Sequence, residues 1–291
     1  MTIAFAGLGV MGAPMARHLI GAGHAVTGYN RSPDKARAWA DATGGRFAAT
    51  VAEAAGGADI LILCVGNDDD VRQVVTEALL HLAPGAVIVD HTTTSARVAR
   101  EMADLAAASG RAFIDAPVSG GQAGAENGTL SVMAGGDADA LGRVQPVLRA
   151  YAKAVQHMGP AGAGQLTKMV NQICIAGVVQ GLAEAVHFAE KAGLDADAVY
   201  QAVSKGAAQS WQMDNRWATM ADGRFDFGFA VDWMRKDLGL VLDEARANGS
   251  HLAMTALVDQ FYSEVQSMGG SRWDTSSLAA RLQRRSNDAA D

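Results

Sequence analysis

The chain has 291 residues, of which 49% are hydrophobic and 19% are charged. It is therefore long enough for two domains and apolar enough to bury a large core. A formal net charge of -7 argues against a protein that coats nucleic acid. Two cysteines and seven scattered histidines predict no disulfide framework and no metal site, and they favour a reducing cytoplasm. We also expect no secretory signal, because the first residues lack a basic segment followed by a long apolar one. We expect no membrane partner, because an uninterrupted apolar run of about 18 residues is missing.

The first half of the sequence alternates short β-type runs with Ala-rich helical stretches. Strands are predicted at 2–6, 25–29, 60–65, 86–90, 112–115, 130–134 and 154–157. Helices are predicted at 11–22, 33–42, 69–80, 95–108 and 137–151. Strands that alternate with helices in this way indicate βαβ units and a mostly parallel sheet.

The second half reads as helix throughout. Between Gln165 and Lys191 there is no proline and apolar residues recur at helical spacing, which predicts one helix about 40 Å long at 1.5 Å per residue. Further helices are predicted at 196–205, 210–220, 231–248, 252–268 and 275–282, and the polar residues 286–291 are expected to fray. The sequence thus predicts an α/β fold, with a Rossmann-type dinucleotide-binding domain at 1–161 and an all-helical domain at 162–291, linked through the long helix.

A GxGxxG motif lies between the first strand and the first helix, and it consists of Gly7, Leu8, Gly9, Val10, Met11 and Gly12. In this context the first glycine permits a tight turn, the second lets the backbone approach a pyrophosphate, and the third packs the helix on the strand. The N-terminus of the helix then attracts the phosphates. A tight turn that binds nothing is the alternative, but the position between strand and helix favours a dinucleotide site.

The residues after the second strand indicate which dinucleotide binds. An NAD site usually carries Asp or Glu about 20 residues beyond the motif, where it binds the ribose 2′-OH. Here that position reads Asn30, Arg31 and Ser32, with no acid. Arg31 and Ser32 can receive a 2′-phosphate instead, since a guanidinium group binds phosphate well. We therefore predict NADP as the cofactor, with NAD possible; an ordinary exposed loop arginine is the alternative.

The loop that follows the fifth strand contains Ser119, Gly120 and Gly121. A Ser-Gly-Gly turn entering a helix gathers N–H donors and a hydroxyl group, which suits a carboxylate ligand. Ser119 could equally be an ordinary helix N-cap. The residues alone leave both interpretations open.

Lys168 lies about one turn into the long helix, just past a Gly-rich segment. Asn171 and Gln172 follow at positions i+3 and i+4 and share its face. The positive end of a helix and partial burial both favour proton exchange by a lysine near neutrality. A solvated helix lysine is the alternative.

Aromatic residues alternate ahead of a charged pair in the helical half. Phe225, Phe227 and Phe229 precede Lys236 and Asp237. This arrangement could form a wall of a substrate site, or it could combine core packing with a surface ion pair.

Four segments in this order, 5–16, 115–121, 162–168 and 236–238, together resemble the β-hydroxyacid dehydrogenase family. That family includes 3-hydroxyisobutyrate dehydrogenase, tartronate semialdehyde reductase and the glyoxylate/succinic semialdehyde reductases. The resemblance extends over nearly the whole chain. It implies hydride transfer between NADP(H) and a short 3-hydroxyacid or semialdehyde, in a homodimer or homotetramer.

The resemblance also implies roles for single residues. Lys168 matches the catalytic general acid/base, and the Ser119–Gly121 loop matches the site of the substrate carboxylate. Val65, Thr93 and Lys236 fall at cofactor contacts, with Thr93 also near the substrate, whereas Asn171, Gln172, Phe229 and Asp237 fall at positions that line the substrate site. Many relatives carry Asn four residues after the lysine, where this chain has Gln172, so either amide could assist the substrate. An imine reductase, a group that typically lacks the lysine, and a non-catalytic NADP-binding protein are the alternatives.

Overall fold

The computed structural model describes residues 1–288, with side chains described as far as residue 283. It contains two compact units, Met1–Lys168 and Met169–Asp291. The last helix continues to Asp288, and the part of the expected fraying that concerns 289–291 lies outside the described residues.

The first unit is built on one nine-stranded sheet. Its strands are β1 (Thr2–Ala6), β2 (Ala25–Tyr29), β3 (Arg46–Phe47), β4 (Ile60–Leu63), β5 (Val87–Asp90), β6 (Ala112–Asp115), β7 (Val118–Ser119), β8 (Leu130–Gly136) and β9 (Ala152–Gly159). The order is β3-β2-β1-β4-β5-β6-β8-β7, with β9 also paired to β8. Strands β1 to β6 are mutually parallel, and β8 runs antiparallel to β6 and β7. The predicted mostly parallel Rossmann-type sheet is confirmed.

Helices cover both faces of this sheet. They are α1 (Gly12–Gly21), α2 (Pro33–Thr43), α3 (Val51–Ala55), α4 (Asp68–Leu79), α5 (Ala96–Ala108), α6 (Gly121–Glu126) and α7 (Ala138–Leu148). Successive side chains of a strand point to opposite faces, so each central strand contributes to two cores. Along β1, Ile3 and Phe5 join one buried cluster, whereas Ala4 and Ala6 join the other.

The shortest elements and several boundaries differ from the predictions. Strands β3 and β7 and helices α3 and α6 are absent from the sequence-based assignment, because two to six residues are too few to show a periodicity. Strand β4 ends at Leu63, short of the predicted end at Val65. The N–H of Val65 instead donates to the Thr92 hydroxyl at 3.0 Å.

The second unit is helical, as predicted. The long helix α8 (Ala163–Lys191) enters it and is followed by α9 (Ala196–Val203), α10 (Trp211–Ala221), α11 (Val231–Asn248), α12 (Ala253–Ser267), a 3-10 turn (Thr275–Ser277) and α13 (Leu278–Asp288). Residues of α8 such as Ala176, Val179 and Ala183 belong to the core of this unit. Helix α8 is long and apolar enough to cross a membrane by length and composition, a test that the core helix of a soluble protein also passes, and 44% of its apolar window is buried.

A buried histidine stands at the end of β5. The Nδ1 atom of His91 lies 2.6 Å from the Ala116 carbonyl oxygen, and its Nε2 lies 2.8 Å from the Tyr151 hydroxyl. Because a carbonyl only accepts, Nδ1 carries the proton and Nε2 accepts from Tyr151. Burial lowers the pKa of His91 to about 4, so the ring is neutral in the folded protein.

This histidine predicts a loss of stability in acid. Between pH 6.5 and 4 the unfolded chain binds a proton that the folded chain does not bind, so the free energy of unfolding falls as the pH falls. The full effect is about 3 kcal/mol at 1.36 kcal/mol per pKa unit. Denaturant unfolding at several pH values should show this slope, and His91→Gln should flatten it. The wild-type protein supplies the reference slope. An equal slope in His91→Gln and in the wild type would contradict the assignment.

Candidate active site

The glycine loop after β1 has the geometry of a phosphate cradle. Gly7 has φ +102°, and a Cβ there would collide with the carbonyl oxygen of Cys64. A Cβ at Gly12 would collide with the carbonyl of Gly7, so these two glycines serve the turn and the packing of α1. At Gly9 a Cβ would meet nothing within 4 Å, which leaves space on that side of the backbone. The N-cap residue Met11 makes no side-chain cap, so the loop fits a dinucleotide pyrophosphate.

The end of β2 is tied to this loop by Asn30. Its Oδ1 accepts from the N–H of Leu8 at 3.0 Å, and its Nδ2 donates to the Ser32 carbonyl at 3.2 Å. Ser32 is the N-cap of α2 but makes no side-chain cap bond. Val10 is exposed and Leu8 is buried in the core. The six motif residues and the Asn30–Ser32 turn therefore lie together in the first unit.

Arg31 has a carboxylate beside it. Its Nη1 lies 3.4 Å from Oδ1 of Asp70, a residue in the first turn of α4. Positions 30–32 contain no acid, but the fold brings a carboxylate to Arg31 from α4. Asp70 is about 40 positions from Arg31 in the sequence, so reading onward from the glycine motif could not find it.

Asp115, at the end of β6, holds the beginning of α8. Its Oδ1 accepts from the N–H of Gly162 at 2.8 Å, and its Oδ2 accepts from the N–H of Gln165 at 2.9 Å. The carboxylate thus caps a helix from a distant strand, where the local sequence supplies no Ser, Thr, Asn or Asp. Burial raises the pKa of the Asp115 carboxyl, and the N–H donors act in the opposite direction.

Gln165 links the same first turn to the loop after β5. This side chain is fully buried. Its Oε1 accepts from the N–H of Thr94 at 3.0 Å, and its Nε2 donates to the carbonyl of Thr92 at 2.7 Å. The residue between them, Thr93, is half-buried. Gln165 therefore determines where the Thr92–Thr94 segment stands relative to the start of α8.

Lys168 reaches the Ser119 loop. It is 9% exposed, and its Nζ donates to the carbonyl of Val118 at 2.9 Å, so it is not a solvated surface lysine. The residue that caps α6 is Gly120, at φ +129°, and it makes no side-chain cap bond. The N-cap position of α6 is thus Gly120 and not Ser119. The structure brings the predicted proton donor next to the predicted carboxylate loop, within the first unit.

In the second unit the charged pair of α11 belongs to a buried network. Asp237 is 2% exposed; its Oδ2 accepts from Nε2 of Gln172 at 2.6 Å, and its Oδ1 lies 3.1 Å from Nζ of Lys236. Gln172 in turn accepts from Nδ2 of Asn171 at 2.8 Å. The alternative of a surface ion pair is wrong, because Asp237 and Gln172 are both buried.

The aromatic residues ahead of α11 differ in their surroundings. Phe225 is buried in the core of the second unit, whereas Phe227 and Phe229 are each 37% exposed. The backbone N–H of Phe229 donates to Oδ2 of Asp274 at 2.9 Å. Core packing thus accounts for Phe225, and Phe229 keeps an accessible ring. Among the described residues no group of three His, Cys, Asp or Glu side chains could hold a metal ion.

Comparisons with known proteins cover both units. A family model described as the NAD binding domain of 6-phosphogluconate dehydrogenase matches residues 2–159, and one described as the NAD-binding region of NADP-dependent 3-hydroxyisobutyrate dehydrogenase matches residues 162–282. The chain belongs to the β-hydroxyacid dehydrogenase family. It is therefore an NAD(P)-dependent oxidoreductase, and the cofactor expected from the glycine motif is confirmed at the level of NAD(P).

Individual relatives support this membership of the β-hydroxyacid dehydrogenases. An uncharacterized oxidoreductase of Shewanella frigidimarina is 63% identical over 97% of this chain and 98% of its own length. A probable 3-hydroxyisobutyrate dehydrogenase-like protein of Arabidopsis thaliana is 39% identical over 98% of this chain and 86% of its own length. The solved 3-hydroxyisobutyrate dehydrogenase of Mycobacterium tuberculosis has a TM-score of 0.88 at 36% identity, covering 97% of this chain and 98% of that one.

Two residues of this site have structural roles that the sequence analysis did not assign. Asp115 and Gln165 lie inside the family-like segments at 115–121 and 162–168, yet neither carries an obvious function by residue type. One signal was available: the start of α8 has no local capping side chain, so its N–H groups need an acceptor from elsewhere in the fold. The identity of that acceptor depends on tertiary structure.

The buried amide of Gln165 predicts a specific loss of stability. Gln165→Met keeps the side-chain volume but leaves the N–H of Thr94 and the carbonyl of Thr92 without this partner. Each buried group left unpaired costs about 1–3 kcal/mol. Denaturant unfolding should show a decrease in this range or above, whereas Gln156→Met, at an exposed position, should change stability by less than about 0.5 kcal/mol. Similar losses of unfolding free energy in the two variants would contradict this role of Gln165.

Proposed function

We propose that the protein interconverts a short 3-hydroxyacid and the corresponding semialdehyde, with NADP(H) preferred over NAD(H) and Lys168 as the general acid/base. The observation that carries this proposal is the hydrogen bond from Lys168 Nζ to the carbonyl of Val118. It places a buried ammonium group beside the backbone of the Ser119–Gly121 loop. A proton donor and a carboxylate-binding loop at this separation suit a substrate whose carbonyl lies a few bonds from its carboxylate.

The chain's own groups divide the work as follows. The amides of Gly120 and Gly121 and the hydroxyl of Ser119 hold the substrate carboxylate. Bound NAD(P)H supplies the hydride that reduces the carbonyl carbon. Lys168 donates a proton to the carbonyl oxygen as negative charge develops there, and it accepts that proton in the oxidation direction.

We propose further that Asn171, rather than Gln172, contacts the substrate directly. The amide of Gln172 is already engaged on both sides, with Asp237 as its acceptor and Asn171 as its donor. Gln172 therefore suits the role of a residue that orients Asn171. The solved relative from Mycobacterium tuberculosis contains L-serine, itself a short 3-hydroxyacid, which supports this substrate class.

Removal of Lys168 should abolish proton transfer without abolishing cofactor binding. Lys168→Ala should lower kcat by at least about a hundredfold, since general acid catalysis is typically worth ~10²–10⁴. Lys168→Arg should be similarly inactive, because a guanidinium group keeps its proton at working pH. The dissociation constant for NADPH, measured by fluorescence, should change by less than threefold in both variants. Lys191→Ala, at the exposed end of the same helix, should retain full activity. Near-normal turnover of Lys168→Ala would contradict the role.

The Ser119 loop should discriminate an acid from its amide. Replacing the substrate carboxylate by a carboxamide removes the charge that the loop amides bind, and it should lower kcat/KM about tenfold to a hundredfold, since hydrogen bonds to charged groups contribute ~1.5–3 kcal/mol. Ser119→Ala should lower kcat/KM for the acid more than for the amide. Equal activity on the two substrates would show that the loop does not hold the carboxylate.

The substrate class itself is tested by a panel of short semialdehydes and 3-hydroxyacids assayed with both NADPH and NADH. We expect turnover of at least one 3-hydroxyacid pair, together with loss of that turnover in Lys168→Ala. Reduction of cyclic imines without activity on any semialdehyde would favour an imine reductase. Cofactor binding without turnover of any of these substrates would favour a non-catalytic protein.

A further inference from the structure

The ion pair between Arg31 and Asp70 stands at the adenosine end of the predicted cofactor site. In Rossmann-type domains the ribose hydroxyl groups bind beyond the end of the second strand. Arg31 follows β2 by two residues, and Asn30 ties that strand end to the glycine loop through the N–H of Leu8. A carboxylate 3.4 Å from the Arg31 guanidinium is therefore close to where a 2′-phosphate would lie.

The two partners of this ion pair differ in how exposed they are and in how firmly they are held. The Arg31 side chain is 88% exposed, whereas that of Asp70 is 25% exposed. Oδ2 of Asp70 accepts from the N–H of Gly66 at 3.1 Å, and the Asp70 backbone N–H donates to Oδ1 of Asn67, the N-cap of α4. The carboxylate is thus held by the backbone of the β4–α4 turn. The exposed Arg31 is therefore the partner that can move, whereas Asp70 stays in place.

We propose that Asp70 is a specificity-determining residue that weakens the binding of NADP(H) relative to NAD(H). This inference rests on the NADP(H) site of the proposed function and not on the substrate. When the 2′ position carries a hydroxyl group, Arg31 stays on Asp70. When it carries a phosphate, Arg31 must turn to the phosphate, and the fixed carboxylate is left without its partner and next to a second anion. Asp70 therefore reduces the advantage that Arg31 gives to NADP(H).

The decisive variant is Asp70→Asn. Asparagine keeps a side-chain oxygen that can accept from the N–H of Gly66, but it removes the negative charge. The dissociation constant of NADPH should fall about fivefold to tenfold at low salt, while that of NADH should change by less than twofold. Both constants are measured by cofactor fluorescence, without any turnover. The gain for NADPH should shrink as the ionic strength rises, since salt screens exposed charges.

The neighbouring residue supplies a matched control. Asp69 is in the same first turn of α4, its side chain is 91% exposed, and it pairs with Arg72. Asp69→Asn removes the same charge from the same helix, so it should change either dissociation constant by less than twofold. An equal gain in NADPH affinity for Asp69→Asn and Asp70→Asn would attribute the effect to bulk charge and would overturn the proposal.

The variant Arg31→Ala distinguishes the effect of the Arg31–Asp70 ion pair from that of repulsion between Asp70 and the 2′-phosphate. In that background Asp70→Asn should improve NADPH binding by less than threefold, because no guanidinium remains to be released. A fivefold to tenfold gain in NADPH affinity in the Arg31→Ala background would overturn the proposal that Asp70 acts by pairing with Arg31. An Asp70→Asn variant with weaker NADPH binding would also overturn the proposal, since it would mean that Asp70 orients Arg31 for the phosphate. Because every readout is a binding constant, failure to turn over any 3-hydroxyacid would refute the proposed reaction and leave this inference standing.

Discussion

The carboxylate of Asp115 accepts hydrogen bonds from the backbone N–H groups of Gly162 and Gln165, and the position of the first turn of α8 depends on this contact. The first N–H groups of any helix lack intrahelical partners. Here the local chain is Gly-rich and has no capping side chain, so a strand end of the sheet provides the acceptor. The close approach also requires small residues, since a Cβ at Gly135 or Gly164 would clash with Asp115.

The first turn of α8, held in this way, carries the side chains of Gln165 and Lys168 to their partners. Gln165 faces the loop after β5 and bonds the backbone on both sides of Thr93. Three residues later, Lys168 reaches the carbonyl of Val118. One helical turn therefore connects the expected cofactor contact, the proposed proton donor and the proposed carboxylate loop. A buried polar network of this kind specifies one arrangement, because each of its groups is costly to leave unpaired.

The adenosine end of the site follows a different principle. There Arg31 is exposed and pairs with Asp70 at 3.4 Å, and an exposed ion pair of this kind contributes little to stability. Arg31 follows β2 and Asp70 lies after β4, and these two strands flank β1 in the parallel sheet, so their carboxyl ends lie at one edge. The first unit thus combines a buried, hydrogen-bonded group of residues around Lys168 with an exposed ion pair at the end of β2.

Sequence alone determined the alternation of strands and helices, the glycine loop, the long helix and the positions of Lys168 and Ser119, because each leaves a local signal in periodicity, glycine spacing or residue type. It missed β3, β7, α3 and α6, which are too short to show a period. It could not show that Asp115 caps α8, that Gln165 clamps the Thr92–Thr94 segment, or that Asp70 faces Arg31. These pairs are separated by about 40 to 70 positions in the chain. Only the packing of parallel strands brings their ends to one edge of the sheet, and no local pattern records which of the many polar residues meet there.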